Sequence, residues 1–185
     1  MKQLWTPWRV AYIQGEKESG CVFCKAAKGP DAAKGVTGAG STKDSIKGDA
    51  SKDVLRDDDL VLHRSKDSVL LLNRYPYSNG HILIAPNLHE SALEGLPREV
   101  SIDMQSLINL SIEALKKTYN PDGFNIGMNL GASAGAGIAD HLHWHIVPRW
   151  NGDTNFMPVL NETKVIPEHL EASAEELRAY FKENT

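Results

Sequence analysis

Three histidines occupy every second position of the stretch DHLHWHIVPRW, residues 140–150. His141, His143 and His145 alternate there with bulky apolar residues. Successive side chains of a β-strand point to opposite faces, so the imidazoles are predicted to share one face and the apolar residues to pack against a core. Three interpretations fit such a row: a solvated polar face, a zinc site using two or three imidazoles, or nucleophilic catalysis. In the last, one imidazole attacks phosphorus while its neighbours fix its tautomer and protonate the leaving group.

A segment of small residues, NLGASAGAGIAD, leads directly into this row at positions 129–140. Small residues let backbone N–H groups approach an anion closely, which is how phosphate nests are built. No strand–turn–helix pattern follows, so the segment does not fit the dinucleotide fingerprint. By itself it could be an ordinary turn, but its position before three histidines favours phosphoryl or nucleotidyl chemistry. The candidate phosphate-binding residues are Asn129, Gly131, Ser133, Gly135 and Gly137.

The only two cysteines of the sequence form the motif CVFC, as Cys21 and Cys24. This spacing fits structural zinc, a redox pair or two buried thiols. A redox pair is typical of a thioredoxin-like βαβ unit, which the sequence does not predict. Zinc requires four ligands, so two more would have to come from elsewhere in the chain.

The elements that position these residues follow from apolar periodicity. Short apolar runs predict strands at 60–64, 68–73, 81–86 and 123–131, with the histidine stretch as the fifth, and Asn79-Gly80 is a turn signal. Helical spacing between 104 and 119 predicts a long helix that ends at residues 120–121. A second helical stripe predicts a C-terminal helix that begins near Pro167. Strands in blocks with separate helices predict an α+β fold with a mostly antiparallel sheet.

Composition narrows the class of protein. A length of 185 residues predicts a single domain over 1–185, and a net charge of −4 argues against a general nucleic-acid binder. We also expect no transmembrane helix, no signal peptide and therefore a cytoplasmic protein. Residues 28–53 are rich in Gly, Ala, Ser and Lys, and we expect them to form a flexible insertion.

The row HLHWHIV resembles the pattern that names the histidine triad (HIT) superfamily of nucleotide hydrolases and transferases. LLNRYPYSNGHILIAP is similar to that family's strand pair on the nucleotide side, while LWTPWRVAYI and GFNIGMNLGASAGAGIADHLHWHIVPRWNGDTNF resemble its bacterial diadenosine tetraphosphate phosphorylase branch. The resemblance implies a HIT-like fold: a five-stranded antiparallel sheet with a long helix and a C-terminal helix. It also implies a homodimer in which two such sheets pair edge to edge.

The resemblance assigns roles to particular residues. It implies that His143 is the nucleophile, that His145 assists the leaving group, and that His81 supports the row from a neighbouring strand. Asn73 would lie near the ribose. Apolar residues of the first strands, including Leu60 and Leu72, would sandwich the base.

The same resemblance completes the metal site. Zinc-bearing members of the family combine a CxxC motif with a histidine after the third strand and with the first histidine of the row. Carried over, the ligands are Cys21, Cys24, His89 and His141, and the zinc would be structural.

The implied reaction is phosphorolysis of diadenosine tetraphosphate to ATP and ADP, with inorganic phosphate as acceptor. Hydrolysis of dinucleoside polyphosphates or adenosine phosphoramidates, with water as acceptor, is the alternative. Many family hydrolases carry a glutamine where this chain has Gly137, which favours entry of phosphate. Hexose-1-phosphate transferases replace the third histidine, which is present here as His145. A zinc-stabilised nucleotide-binding protein without turnover is the remaining alternative.

Overall fold

The computed structural model describes residues 20–29, 57–153 and 168–185. Most of the predicted insertion, at 30–53, lies outside these ranges. So do the aromatic N-terminal stretch and Pro167, where the last helix was predicted to begin.

A single five-stranded sheet forms the centre of the described chain. Its strands pair in the order β1-β2-β3-β5-β4, and every pair is antiparallel. The prediction of an α+β fold with a five-stranded antiparallel sheet is therefore confirmed. In chain order the strands are β1 (Val61–Arg64), β2 (Ser68–Leu72), β3 (Ile82–Pro86), β4 (Gly123–Met128) and β5 (Trp144–Arg149).

Three α-helices accompany the sheet in the described residues. Helix α1 spans Val22–Lys28, α2 spans Arg98–Tyr119 and α3 spans Leu170–Asn184. Helix α2 ends as predicted at Asn120, which adopts the left-handed conformation with φ 45° and tolerates it as asparagine can.

The sheet buries a different apolar cluster on each face. Residues at alternate strand positions, such as Leu70 and Ile84, join a large core with α2 and α3. The intervening positions, such as Leu71 and Leu83, form a smaller cluster with Phe23 of α1. The histidine row lies on the α1 face, because Leu142 and Ile146, which alternate with the histidines, belong to the large core.

The turn before β3 requires glycine for two reasons. Gly80 has φ +68°, a conformation that side chains with a Cβ rarely adopt. A Cβ there would also lie 2.7 Å from Leu115 Cδ2 and 2.9 Å from Tyr119 Cε2 of helix α2. The turn signal at Asn79-Gly80 is thus confirmed, and the glycine also allows α2 to pack closely on the turn.

The first three strands match their predictions to within one residue, but β4 and β5 differ by more. β4 ends at Met128 instead of residue 131, and β5 begins at Trp144, after two of the three histidines. The β3–β5 register pairs Ile84 with Trp144, so Pro86 would come opposite Leu142. Proline has no N–H to donate, so the ladder ends there, and the Leu142 N–H donates instead to the Glu90 carbonyl, at 2.7 Å.

Candidate active site and metal centre

Four imidazoles lie along the α1 face of the central strands. His143 and His145 flank the start of β5, and their ring centroids are 4.9 Å apart. His81 comes from the turn before β3, with its ring centroid 5.2 Å from that of His145. His81, His141 and His143 are buried, so the row lines the interior of a site and is not a solvated face.

The orientation of His143 follows from its hydrogen bond. Its Nδ1 lies 3.0 Å from the backbone carbonyl oxygen of His141. A carbonyl only accepts, so Nδ1 carries the proton and Nε2 keeps its lone pair. Burial lowers the pKa of His143, partly offset by this hydrogen bond. The imidazole is therefore a neutral base whose Nε2 is available for attack.

A chain of hydrogen bonds fixes the tautomers of His81 and His145. The Tyr77 backbone N–H donates to His81 Nδ1 at 3.1 Å, so that nitrogen is unprotonated and the His81 proton is on Nε2. His81 Nε2 lies 3.0 Å from His145 Nδ1 and donates to it. His145 in its neutral form then carries its proton on Nε2. We refer to this arrangement of Tyr77, His81 and His145 as the tautomer chain.

Asn73 contributes to the same chain. Its Oδ1 accepts the Tyr75 N–H at 2.9 Å, which orients the amide. The Nδ2 group is then directed at His81 Nδ1, 3.2 Å away, as a second donor. The predicted position of Asn73 near the ribose is not tested by these contacts, which place it directly behind His81.

The glycine-rich segment forms a loop between β4 and β5. Its Ala132–Ala134 turn lies between Gly131 at φ 78° and Gly135 at φ 89°, both conformations that favour glycine. Gly131, Ser133, Gly135 and Gly137 are exposed, and Asn129 is half-buried. The loop therefore presents backbone to solvent immediately before His141, and its role in phosphate binding stays a prediction.

One expectation for the nucleotide side is wrong. Leu60 and Leu72 belong to the large core under α2 and α3, each with 1% of its surface exposed. Leu72 on β2 points away from the imidazoles, because the two faces of a strand are opposite, and Leu60 joins the same core from the 3₁₀ turn Asp57–Leu60 before β1. The base cannot lie between them without displacing that core.

The four candidate metal ligands converge from three parts of the chain. Cys21, Cys24, His89 and His141 each offer one ligand atom, and the four atoms lie within 4.8 Å of one another. The two histidine Nδ1 atoms are 3.2 Å apart, and the sulfur–nitrogen distances from His141 are 3.2 Å to Cys21 and 3.6 Å to Cys24. In tetrahedral zinc, ligand distances of about 2.05 Å and about 2.3 Å give nitrogen–nitrogen and sulfur–nitrogen separations of about 3.3 Å and about 3.6 Å. The group could therefore hold a metal ion, and these three separations match those of tetrahedral zinc.

The surroundings of the metal ligands support this assignment. His141 Nε2 donates to the Pro86 carbonyl oxygen at 2.9 Å, which leaves the Nδ1 lone pair directed at the cysteines. Burial raises the pKa of the Cys24 thiol, as do the hydrogen bond and charge of Cys21, whereas Lys28 lowers it. A bound cation would overcome this cost, since a coordinated thiol is deprotonated.

Three contributors to the site did not emerge from the sequence. The ring of Phe23 packs on His141 and His143, the Tyr77 N–H starts the tautomer chain, and the Glu90 carbonyl holds the backbone at Leu142. The sequence signal for Phe23 is its aromatic side chain between the two candidate ligands of CVFC. The other two are backbone groups, for which the sequence carries no signal.

A family model described as "HIT domain" matches residues 55–152. The chain belongs to the HIT domain family. All five strands of the sheet and the histidine row lie within the matched residues. A relative named AP-4-A phosphorylase, from Mycobacterium tuberculosis, is 43% identical over 111 residues, which cover 60% of this chain and 57% of that protein. An adenylylsulfatase of Arabidopsis thaliana is 34% identical over 136 residues, covering 74% of this chain and 55% of that protein. The chain thus matches little more than half the length of either relative.

Solved structures share the fold. A zinc-bound histidine triad family protein from Mycobacterium smegmatis has a TM-score of 0.55 and 26% sequence identity, covering 68% of this chain and 85% of that one. A uridylyltransferase matches with a TM-score of 0.55 at 16% identity, over 69% of this chain and 42% of that one, which shows a common fold only. In the described part of the chain, no helix is long and apolar enough to cross a membrane.

Proposed function

We propose that the protein transfers a nucleotidyl group through a covalent intermediate on His143. The observation that carries the proposal is the 3.0 Å hydrogen bond from His143 Nδ1 to the His141 carbonyl, which leaves Nε2 as the attacking atom. Covalent catalysis by imidazole divides one difficult displacement into two easier ones. A protein that only binds nucleotides has no need of a nucleophile oriented in this way.

In the first step, His143 Nε2 attacks the α-phosphorus of the nucleotide and forms an N–P bond. The bond from phosphorus to the bridging oxygen breaks, and the leaving group departs on that oxygen. His145 Nε2–H donates a hydrogen bond to the departing oxygen, because the tautomer chain keeps Nδ1 as an acceptor, and the leaving group departs as an anion. In the second step an oxygen of the acceptor attacks the same phosphorus and releases His143.

The substrate we infer is diadenosine tetraphosphate, with inorganic phosphate as acceptor. ATP would leave in the first step, and phosphate would convert the adenylyl group to ADP in the second. Support comes from the similarity to the relative named AP-4-A phosphorylase. Gly137, four positions before His141, removes side-chain bulk from the exposed loop that precedes the row. Asn129, Gly131, Ser133 and Gly135 would contribute to phosphate binding from the same loop.

Product analysis tests both parts of this proposal. Diadenosine tetraphosphate is incubated with the protein, with and without inorganic phosphate, and the products are separated by chromatography. ATP plus ADP formed only with phosphate supports phosphorolysis. ATP plus AMP formed without phosphate identifies a hydrolase instead.

A matched substitution tests the nucleophile. We expect His143→Ala to abolish turnover while nucleotide affinity stays within a few fold, and His63→Ala, far from the row, to retain turnover. Wild-type protein that binds nucleotide without ever converting it would be a zinc-stabilised binding protein, and the enzyme proposal would fail.

We further propose that Cys21, Cys24, His89 and His141 bind zinc. Zinc with four protein ligands is structural and has no open position for water. It would fasten helix α1 to the end of β3 and to the start of the histidine row.

Metal content tests this assignment directly. We expect one zinc per chain by atomic absorption, loss of most of it in Cys24→Ser, and full retention in His63→Gln. A chelator should lower the melting temperature of wild type but not that of Cys24→Ser, since ligand binding to the native state is folding free energy. Full zinc content in Cys24→Ser would contradict the site.

The remaining proposals concern location and assembly. We place the protein in the cytoplasm, with no nucleic acid or membrane as partner. We also infer a homodimer joined through β4, which lies at the edge of the sheet and has Ile126 40% exposed. Pairing of this edge with a second copy would cover unpaired backbone groups.

A further inference from the structure

Phe23 lies at the junction of the candidate metal centre and the candidate nucleophile. It stands between the two cysteines of CVFC, on helix α1, and its side chain is fully buried. Its ring centroid is 5.1 Å from that of His141 and 4.7 Å from that of His143. The short helix and its N-cap Cys21 thus carry two candidate metal ligands and an aromatic ring that contacts the attacking imidazole.

The hydrogen bonds alone do not determine the orientation of His143. One hydrogen bond, from Nδ1 to the His141 carbonyl, orients one edge of the ring. A ring held at one edge can still pivot, which moves Nε2 sideways. Packing restricts this motion: Phe23 lies 4.7 Å away at 36° and His145 lies 4.9 Å away at 59°, centroid to centroid.

We infer that Phe23 is a positioning residue for His143 and that it makes helix α1 part of the active site. This inference rests on the proposed function for its effect on turnover. Reacting atoms must be aligned within a few tenths of an ångström, and a misplacement of about 1 Å can cost about a hundredfold in rate. Phe23 acts by filling the space into which the imidazole would otherwise turn.

The test compares two phenylalanines of the same burial. Phe181 is also fully buried, but it lies in the core under α2 and α3, where it stacks on His63. We expect Phe23→Ala to lower kcat about a hundredfold while KM stays within twofold of wild type. Phe23→Leu keeps the bulk of the side chain without the flat ring, and it should lower kcat about tenfold. Phe181→Ala should reduce stability but leave kcat per folded molecule near that of wild type. Unchanged kcat in the folded Phe23 variants would overturn the inference.

A second readout does not depend on turnover. Long-range ¹H–¹⁵N spectra of the histidine rings report which nitrogen carries the proton and whether a ring is held in one state. We expect a single Nδ1–H form of His143 in wild type and in Phe181→Ala, and averaged or broadened signals in Phe23→Leu, with zinc content per chain unchanged. Wild-type-like His143 signals in Phe23→Leu would overturn the inference even if the protein turned nothing over. If the wild-type protein converted no nucleotide while its His143 signals were as expected, only the proposed function would be refuted.

Discussion

Protonation at one atom distinguishes the roles of the histidines. His143 is protonated on Nδ1 because it faces a carbonyl, whereas His81 is unprotonated on Nδ1 because it faces the Tyr77 N–H. Because His81 donates to His145 Nδ1, His145 carries its proton on Nε2, so two neighbouring neutral imidazoles present a lone pair at His143 Nε2 and an N–H at His145 Nε2. The site of protonation on each ring is set by its hydrogen-bond partners, which are backbone groups and the Asn73 amide.

Replacement of Asn73 by aspartate should disrupt the tautomer chain. The carboxylate would still accept the Tyr75 N–H, but it would draw a proton onto His81 Nδ1, where the amide now donates. His145 would then lose the Nε2–H that donates a hydrogen bond to the leaving group. We expect kcat to fall by about a hundredfold, the lower end of the loss when one donor to a developing anion is removed.

The control for this substitution is Asn109→Asp on the exposed side of α2. Asn109 Oδ1 accepts the Gln105 side-chain amide, a contact that a carboxylate preserves. Steady-state kinetics should show wild-type kcat for it. If Asn73→Asp were equally active, the tautomer chain would have no part in turnover.

At the scale of elements, α2 restricts the turn that delivers His81. Gly80→Ala would place a methyl group 2.7 Å from Leu115 in addition to imposing a left-handed backbone on alanine. We expect a loss of about 1–3 kcal/mol from overpacking on top of about 1–2 kcal/mol from the backbone. The free energy of unfolding from urea titration measures the sum.

Gly131→Ala separates the two contributions. Gly131 has φ +78°, similar to that of Gly80, but a Cβ there would meet nothing within 4 Å. We therefore expect only the backbone part of the loss. Equal losses for the two variants would show that contact with α2 contributes nothing.

The strands could be predicted from sequence because alternation of apolar residues is a local property. The start of β5 could not, since it depends on which distant residue comes opposite Leu142, and that residue is Pro86, where the ladder ends. The two cysteines stood out by their CxxC spacing, but the two histidine ligands came from the resemblance, because Cys21 and His141 are separated by 120 residues. The contact between Phe23 and His143 depends on ring orientations that only the packed structure defines.

At the scale of the whole molecule, the edge strand β4 should determine assembly. Ile126→Lys would put a charge into the proposed dimer interface, and edge lysines oppose strand pairing between molecules. We expect light scattering after gel filtration to give a dimer for wild type and a monomer for Ile126→Lys.

Ile102→Lys is the matched control for that experiment. Ile102 is 56% exposed on α2, away from the sheet edge, and its replacement should leave the dimer intact. A wild-type monomer, or a dimer that persists in Ile126→Lys, would rule out assembly through β4.

The long separation of the metal ligands has a consequence for how the chain folds. Cys21 is 120 residues from His141, and Cys24 is 65 residues from His89. Closing such loops in an unfolded chain is entropically unfavourable, and pairing of distant strands is slow. We therefore expect the four candidate ligands to come together only after β3 and β5 have paired in the native register. Capture of the proposed zinc would then be a late kinetic event, and the rate at which refolding chains take up the metal would measure the formation of the finished sheet.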